Sequence, residues 1–291
     1  MKANVSIDSA LCKNCRTCTE ICPNVIFIAE DHTTKVRPER ISLCFACGQC
    51  MAACREKAIS VEGLDYDRDF FELPESVNSF NALIQTRRSI RSFKDIPVPK
   101  EILEQVVDAI TYAPPSFPPL KTEITVIQDK KLIEAALPLM VKFFDELLTV
   151  LKKPVIGYIL KKRIGQEKYR QIKNHITPIF NLKLPFIKKG TEDAITRNAH
   201  AMILFHADSQ SDNYENDIFI AVAYALLRAH SLGLGATAIN LIPPAVERSS
   251  QLRQMFKIPE GNRVVASIIF GYPKHTYRRA IKRQLKSITW L

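Results

Sequence analysis

The stretch Cys12-Lys13-Asn14-Cys15-Arg16-Thr17-Cys18-Thr19-Glu20-Ile21-Cys22-Pro23 decides how the N-terminal part must fold. A second run, Cys44-Phe45-Ala46-Cys47-Gly48-Gln49-Cys50-Met51-Ala52-Ala53-Cys54, repeats its spacing of two, two and three intervening residues. Together they hold all eight cysteines of the chain. Two-residue gaps let one tight loop aim three thiolates at one face of a small iron–sulfide cube, while the fourth arrives from elsewhere. The runs therefore predict two [4Fe–4S] clusters on Cys12, Cys15, Cys18, Cys22, Cys44, Cys47, Cys50 and Cys54. A disulfide framework would not need such regular spacing and belongs to secreted chains, whereas no hydrophobic signal segment precedes Cys12. Zinc favours two CxxC pairs separated by a longer loop. Arg55 follows the second run where Pro23 follows the first, so the fixed φ and missing N–H of proline are absent there. The surroundings of the second cluster are expected to differ.

The chain has 291 residues, a length suited to about two domains, and 46% of them are apolar. Its formal charge of +11 is uneven. Residues 1–64 carry eight Lys/Arg against seven Asp/Glu, residues 138–190 twelve against three, and residues 272–291 six against none. No helix-turn-helix, zinc-finger or RNA-binding signature accompanies that charge, which argues against a nucleic-acid partner. Most of the excess reads as solvated surface, and the remainder suits an anionic cofactor and an acidic electron donor. No apolar run reaches the roughly 18 residues of a membrane span. Reduced thiols and assembled clusters predict a cytoplasmic protein.

Residues 3–7 read as a short strand pairing with Ile59–Val61, and Val25–Ala29 with Lys35–Arg37 as a hairpin. Residues 65–78 lack a clear period and are taken as a linker packed on a second domain, which begins near Ser79. There Arg87-Arg88-Ser89-Ile90-Arg91 follows a helix end, and guanidinium groups with a hydroxyl make a good anion site. Pro97-Val98-Pro99-Lys100 opens a helix through about Tyr112, followed by the rigid loop Ala113-Pro114-Pro115-Ser116-Phe117-Pro118-Pro119. Glu123–Gln128, Met202–His206 and Val264–Phe270 read as strands, and Asp212–Leu232 as a long helix that is apolar on most sides. Residues 138–190 form a basic helical insertion or lid. No G-x-G-x-x-G follows the first strand, so a Rossmann dinucleotide site is not expected.

Residues 1–64 resemble bacterial two-cluster ferredoxins, in which the last cysteine of each run ligates the other cluster. That resemblance groups Cys12, Cys15, Cys18 and Cys54 on one cluster, and Cys44, Cys47, Cys50 and Cys22 on the second. Residues 79–291 resemble the nitroreductase family of FMN enzymes. This likeness rests on Arg87 to Phe93, Ala113-Pro114, Ala229 to Gly235, Ile258-Pro259-Glu260-Gly261, and Gly271-Tyr272-Pro273 followed by Tyr277-Arg278-Arg279. It implies an α+β fold with a mixed sheet flanked by helices, and a homodimer with FMN at its interface. Arg87, Arg88 and Ser89 would hold the FMN phosphate, and Arg91 would lie near the ribityl chain or the N1/O2 edge, where a positive group stabilises anionic reduced flavin. Pro114, Pro115 and Ser116 would come from the other subunit. Gly235 and Ala236 would approach the ring by backbone, and Arg279 or Arg283 would complete the phosphate site. Phe117 to Leu120 replace the Asn and Gln common in the family, and Asn240-Leu241 replaces Glu-Gly, so the substrate preference is not carried over.

Clusters pass single electrons and a flavin takes one or two, so the combination can turn single electrons into a hydride equivalent. The chain thus reads as a flavin oxidoreductase that draws on a low-potential donor such as ferredoxin, or on NAD(P)H. The acceptor is a nitro compound, a quinone or an activated C=C. No catalytic protein residue is expected, and His206 and His230 read as core residues. A non-catalytic electron-transfer or redox-sensing module is the alternative, and a membrane-surface role for residues 138–190 is the weaker explanation of their charge.

Overall fold

The computed structural model describes residues 3–72, 80–116, 119–151, 159, 161–163 and 165–291. The chain forms two compact units, one comprising Met1–Arg88 with Lys274–Leu291 and the other Ser89–Pro273.

In the first unit β1 (Val5–Ile7) opens the chain and α1 (Thr17–Ile21) carries the end of the first cysteine run. The hairpin β2 (Phe27–Glu30) and β3 (Thr33–Val36) follows, then α2 (Gln49–Ala53) and β4 (Ile59–Val61). The pairing of β1 with β4 is antiparallel, with Val5 opposite Val61. The hairpin is tighter than its sequence suggests. Only Asp31 and His32 separate the strands, at φ of 47° and 60°, which is the left-handed pair that a two-residue turn requires. Neither residue is the glycine that normally signals such a turn.

The segment expected to be a linker is structured up to Glu72. Asp65 accepts hydrogen bonds from the backbone of Asp67 and Arg68 and so caps α3 (Tyr66–Asp69). Next, β5 (Phe70–Glu72) pairs antiparallel with a C-terminal strand, Arg279–Ile281. Residues 73–78 of the expected linker lie outside the described residues. Phe70 is buried with Val5, Phe27, Met51 and Cys18, and Tyr66, Tyr277 and Ile281 pack on the same cluster. Burial of these aromatics explains why residues 65–72 join the cysteine-rich unit instead of bridging to the other, and why the chain end returns there. The helix α4 (Phe80–Thr86), expected to open the second domain, also belongs to this unit.

The second unit is an α+β layer structure. Its main strands are β6 (Glu123–Ile127), β7 (Ala201–Asp208), β8 (Gly235–Ala238) and β9 (Asn262–Gly271), in the order β6-β7-β9-β8 with every pairing antiparallel. A parallel bridge between Ser89 and Ala236 adds the mixed character. Side chains alternate across a strand. Met202 and Leu204 therefore enter one core, while Ile203 and Phe205 enter the other. The second core is covered by α5 (Lys100–Thr111), through Leu103, Val106 and Ile110, and by the long apolar helix Tyr214–Ser231.

The first core is covered by α6 (Lys130–Leu151) and by a run that passes from α7 (Gln166–Gln171) through a π-helical turn into α8 (Thr177–Lys188). Phe144 and Phe180 stack at 4.2 Å between ring centroids. The basic segment 138–190 is therefore, in its described part, a structural layer whose apolar side fills a core.

Candidate redox site

The cysteine loops are built as two copies. Asn14 and Ala46 have φ of 52° and 49°, Arg16 and Gly48 63° and 75°, and Val25 and Lys57 50° and 53°. Each pair holds the same place in its run. Only one of the six is glycine, although the left-handed region costs other residues about 1–2 kcal/mol each. The turn after each run also matches, since Ile26 N–H donates to Cys22 Sγ at 3.5 Å and Ala58 N–H to Cys54 Sγ at 3.3 Å. The duplicated backbone bends the chain so that its thiols point inward.

Those thiols stand around two cavities. The larger, about 340 Å³, is lined by Cys12, Cys15, Cys18 and Cys54, with Cys50 on its wall. The other is a narrower cleft lined by Cys22, Cys44, Cys47 and Cys50. Each run thus lends its last cysteine to the other group. Among the described residues no three His, Cys, Asp or Glu side chains close on a single-ion site. Burial drives the Cys18 thiol up to about 12, with Cys15, Cys12 and Cys54 adding to the effect. Burial and the neighbouring Cys47, Cys22 and Cys44 push Cys50 well above its usual range. Cys22 and Cys44 are also raised by burial. In the metal-free protein these groups hold their protons, and loading must displace them.

The same unit carries a concentration of arginines. Arg88 is buried at 8% exposure and spends its Nη atoms on the carbonyls of Arg87 (2.6 Å) and Gln85 (2.5 Å). Its Nε is buried without a hydrogen-bond partner. Burial, together with the charges of Arg87 and Arg283, lowers the Arg88 guanidinium to about 10, with Tyr277 opposing. A buried cation pressed by two others is a site that fits an anion. Of the two C-terminal arginines expected to join it, Arg283 is the one whose charge bears on Arg88. The Arg279 guanidinium instead donates to the carbonyls of Cys54 (2.6 Å) and Arg55 (3.3 Å).

In the second unit Ser89 bridges to Ala236, and Ile90 N–H donates to the Ala236 carbonyl at 3.2 Å. Arg91 donates to the Ser89 carbonyl at 3.2 Å. Gly235 is required by packing, because a Cβ there would lie 2.6 Å from the Ile90 side chain. Pro114 is exposed and Pro115 half-buried. Ser116 is held by Asp217, whose Oδ1 accepts from the Ser116 N–H at 2.8 Å and from its hydroxyl at 2.5 Å. Asp217 is 3% exposed, and the sequence reading passed over it. The signal was a pair of acids, Glu215 and Asp217, in the first turn of a largely apolar helix. His206 is a buried residue between Thr125 (3.1 Å) and Asn262 (2.8 Å), and His230 is half-buried.

Residues 84–272 match the nitroreductase family, and residues 11–59 match a 4Fe-4S dicluster domain. The chain belongs to the nitroreductase family and carries an N-terminal 4Fe-4S dicluster domain. It is 24% identical over 194 residues to a protein of Methanothermobacter thermautotrophicus named "Putative NADH dehydrogenase/NAD(P)H nitroreductase", covering 65% of this chain and 75% of the relative. The fold resembles that of an FMN-bound nitroreductase from Bacteroides fragilis, with a TM-score of 0.55 at 16% identity over 74% of this chain and 99% of that one. An FMN-bound nitroreductase from Desulfitobacterium hafniense gives 0.50 at 19% identity over 72% and 96%. Among the described residues no helix is long and apolar enough to cross a membrane.

Proposed function

We propose that this chain is an iron–sulfur flavin oxidoreductase of the reducing cytoplasm, working as a homodimer, that moves electrons between two [4Fe–4S] clusters and FMN to reduce a small organic acceptor. Bound clusters supply one-electron steps, and bound FMN supplies a centre that takes one electron or two. The observation that carries this reading is the combination, within one unit, of two cysteine-lined spaces and a buried arginine crowded by like charge. Cys12, Cys15, Cys18 and Cys54 hold one cluster, and Cys22, Cys44, Cys47 and Cys50 the other. Arg87, Arg88 and Arg283 hold the flavin phosphate, with Ser89 adding a hydroxyl. Arg91 offers positive charge to the reduced ring, while Gly235 and Ala236 present backbone to it. Pro114, Pro115 and Ser116 serve the flavin of the partner subunit, with Asp217 keeping Ser116 in place.

The reaction class is reduction of a nitro compound, a quinone or an activated C=C, and the electrons come from a low-potential donor such as ferredoxin or from NAD(P)H. Lys13, Arg16 and Arg55 line the larger cysteine cavity with Glu56, so the rim suits an acidic donor. Anaerobic purification with iron and flavin analysis tests the reading. It expects about eight irons and one FMN per chain, and clusters that re-oxidise when acceptor is added. Iron without flavin, or a reduced protein that turns over no acceptor, defeats it in favour of a plain electron carrier. NAD(P)H oxidation without added ferredoxin then identifies the donor.

A further inference from the structure

We propose that Arg279 sets the reduction potential of the cluster held by Cys12, Cys15, Cys18 and Cys54, by fixing a buried positive charge on the peptide of its last ligand. This rests on the cluster reading above and assigns the residue to the cluster domain instead of the flavin phosphate.

The two cysteine runs wrap their thiols with equivalent turns, so a difference between their surroundings stands out. The carbonyl of Cys22 accepts a neutral backbone donor, Val25 N–H, at 3.2 Å. Its counterpart, the carbonyl of Cys54, accepts the Arg279 guanidinium at 2.6 Å. The second Nη of Arg279 reaches the carbonyl of Arg55, the residue standing where the first run has Pro23. Arg279 is 8% exposed, and its guanidinium carbon lies 5.7 Å from the centre of the Tyr66 ring. The pairing of its strand with Phe70–Glu72 fixes its position, with Arg279 opposite Glu72. The Glu72 carboxylate lies 3.4 Å from Nε, but its side chain is 78% exposed and solvent weakens its counter-charge. Arg283 makes a longer contact, 3.3 Å, to the carbonyl of Cys47 and is itself exposed. The buried charge therefore acts on one group of thiols more than on the other.

Reduction adds one electron and makes the cluster one unit more negative, with no bond formed or broken. A buried cation beside a ligand favours the reduced state and raises the potential, since charge, hydrogen bonding and solvent exposure tune such centres. Removing it must lower that potential, and removing its carboxylate partner must raise it.

The test uses the full chain, purified anaerobically with clusters and FMN in place, as wild type, Arg279→Gln, Arg279→Lys and Glu72→Gln. Each is titrated electrochemically, and reduced clusters are read by electron paramagnetic resonance while FMN affinity is measured separately. Arg279→Gln is expected to reduce the ratio of reduced to oxidised cluster about tenfold at a fixed applied potential, a fall of ~59 mV for a one-electron couple. Arg279→Lys should restore most of it, Glu72→Gln should move the midpoint upward, and FMN affinity should hold within twofold. Unchanged midpoints in Arg279→Gln and Glu72→Gln overturn the proposal, as does loss of FMN affinity with no change in midpoint. If Arg279→Gln fails to retain iron, the upward shift in Glu72→Gln decides, and its absence counts against the proposal. Wild-type protein without iron would instead defeat the cluster reading itself, before any midpoint is compared.

Discussion

In the unit formed by Met1–Arg88 and Lys274–Leu291, strands are three or four residues long and the buried side chains gather around thiols. In Ser89–Pro273, β7 and β9 run eight and ten residues and carry apolar layers on both faces. Short strands bury too little surface to order a small unit, and a metal group can supply the missing cohesion. Long strands sandwiched by helices need no such help, since each buried Leu or Phe contributes about 1.5–3 kcal/mol. Cysteine position thus governs the first unit, and apolar pattern governs the second.

Substitution of single residues can break that contrast. The largest effect is expected from Cys54→Ala, which should cost the chain about half its iron, roughly four atoms, and loosen the first unit. Iron analysis and far-ultraviolet circular dichroism read both, and full iron retention would mean that Cys54 is no ligand. In the second unit no thiol matters. There Phe205→Ala, at a fully buried site in β7, should cost about 3–5 kcal/mol of stability, measured by denaturant unfolding.

Arg88→Ala sharpens the comparison from the other side, because it removes a charge and leaves every thiol in place. Charged hydrogen bonds are worth about 1.5–3 kcal/mol, so FMN affinity should fall roughly 10- to 150-fold in a fluorescence titration. Asp217→Ala takes away the oxygen that holds Ser116, and loss of such a buried acceptor should cost about 1–3 kcal/mol in thermal unfolding. The smallest effect concerns pH. Burial holds His206 below its usual range, Glu123 opposes this and Arg253 reinforces it. A lowered native value means that the unfolded chain takes up the proton first. Stability is therefore complete above about 6.5 and is lost as pH falls from there, by about 1.4 kcal/mol for each unit of depression. His206→Gln should flatten this slope between pH 7.5 and 5.5 in unfolding titrations.

Much of this protein could be read along the chain. The regular gaps between Cys12 and Cys22, repeated from Cys44 to Cys54, announce cluster chemistry, because ligand geometry dictates spacing over a few residues. The apolar run Met202 to Phe205 announces a strand buried on both sides, because side-chain alternation is a local property. Arg87 and Arg88 suggest a candidate anion site by type and proximity. Local pattern stops there. Left-handed turns at Asn14, Ala46, Val25 and Lys57 carry no glycine to betray them. The hold of Asp217 on Ser116 spans 101 positions, and that of Arg279 on the Cys54 carbonyl spans 225. Such contacts leave no periodicity in the sequence. Tertiary structure decided them, because burial of Phe70, Tyr277 and Ile281 brings the chain end back to the cysteines and leaves the guanidinium no nearer acceptor.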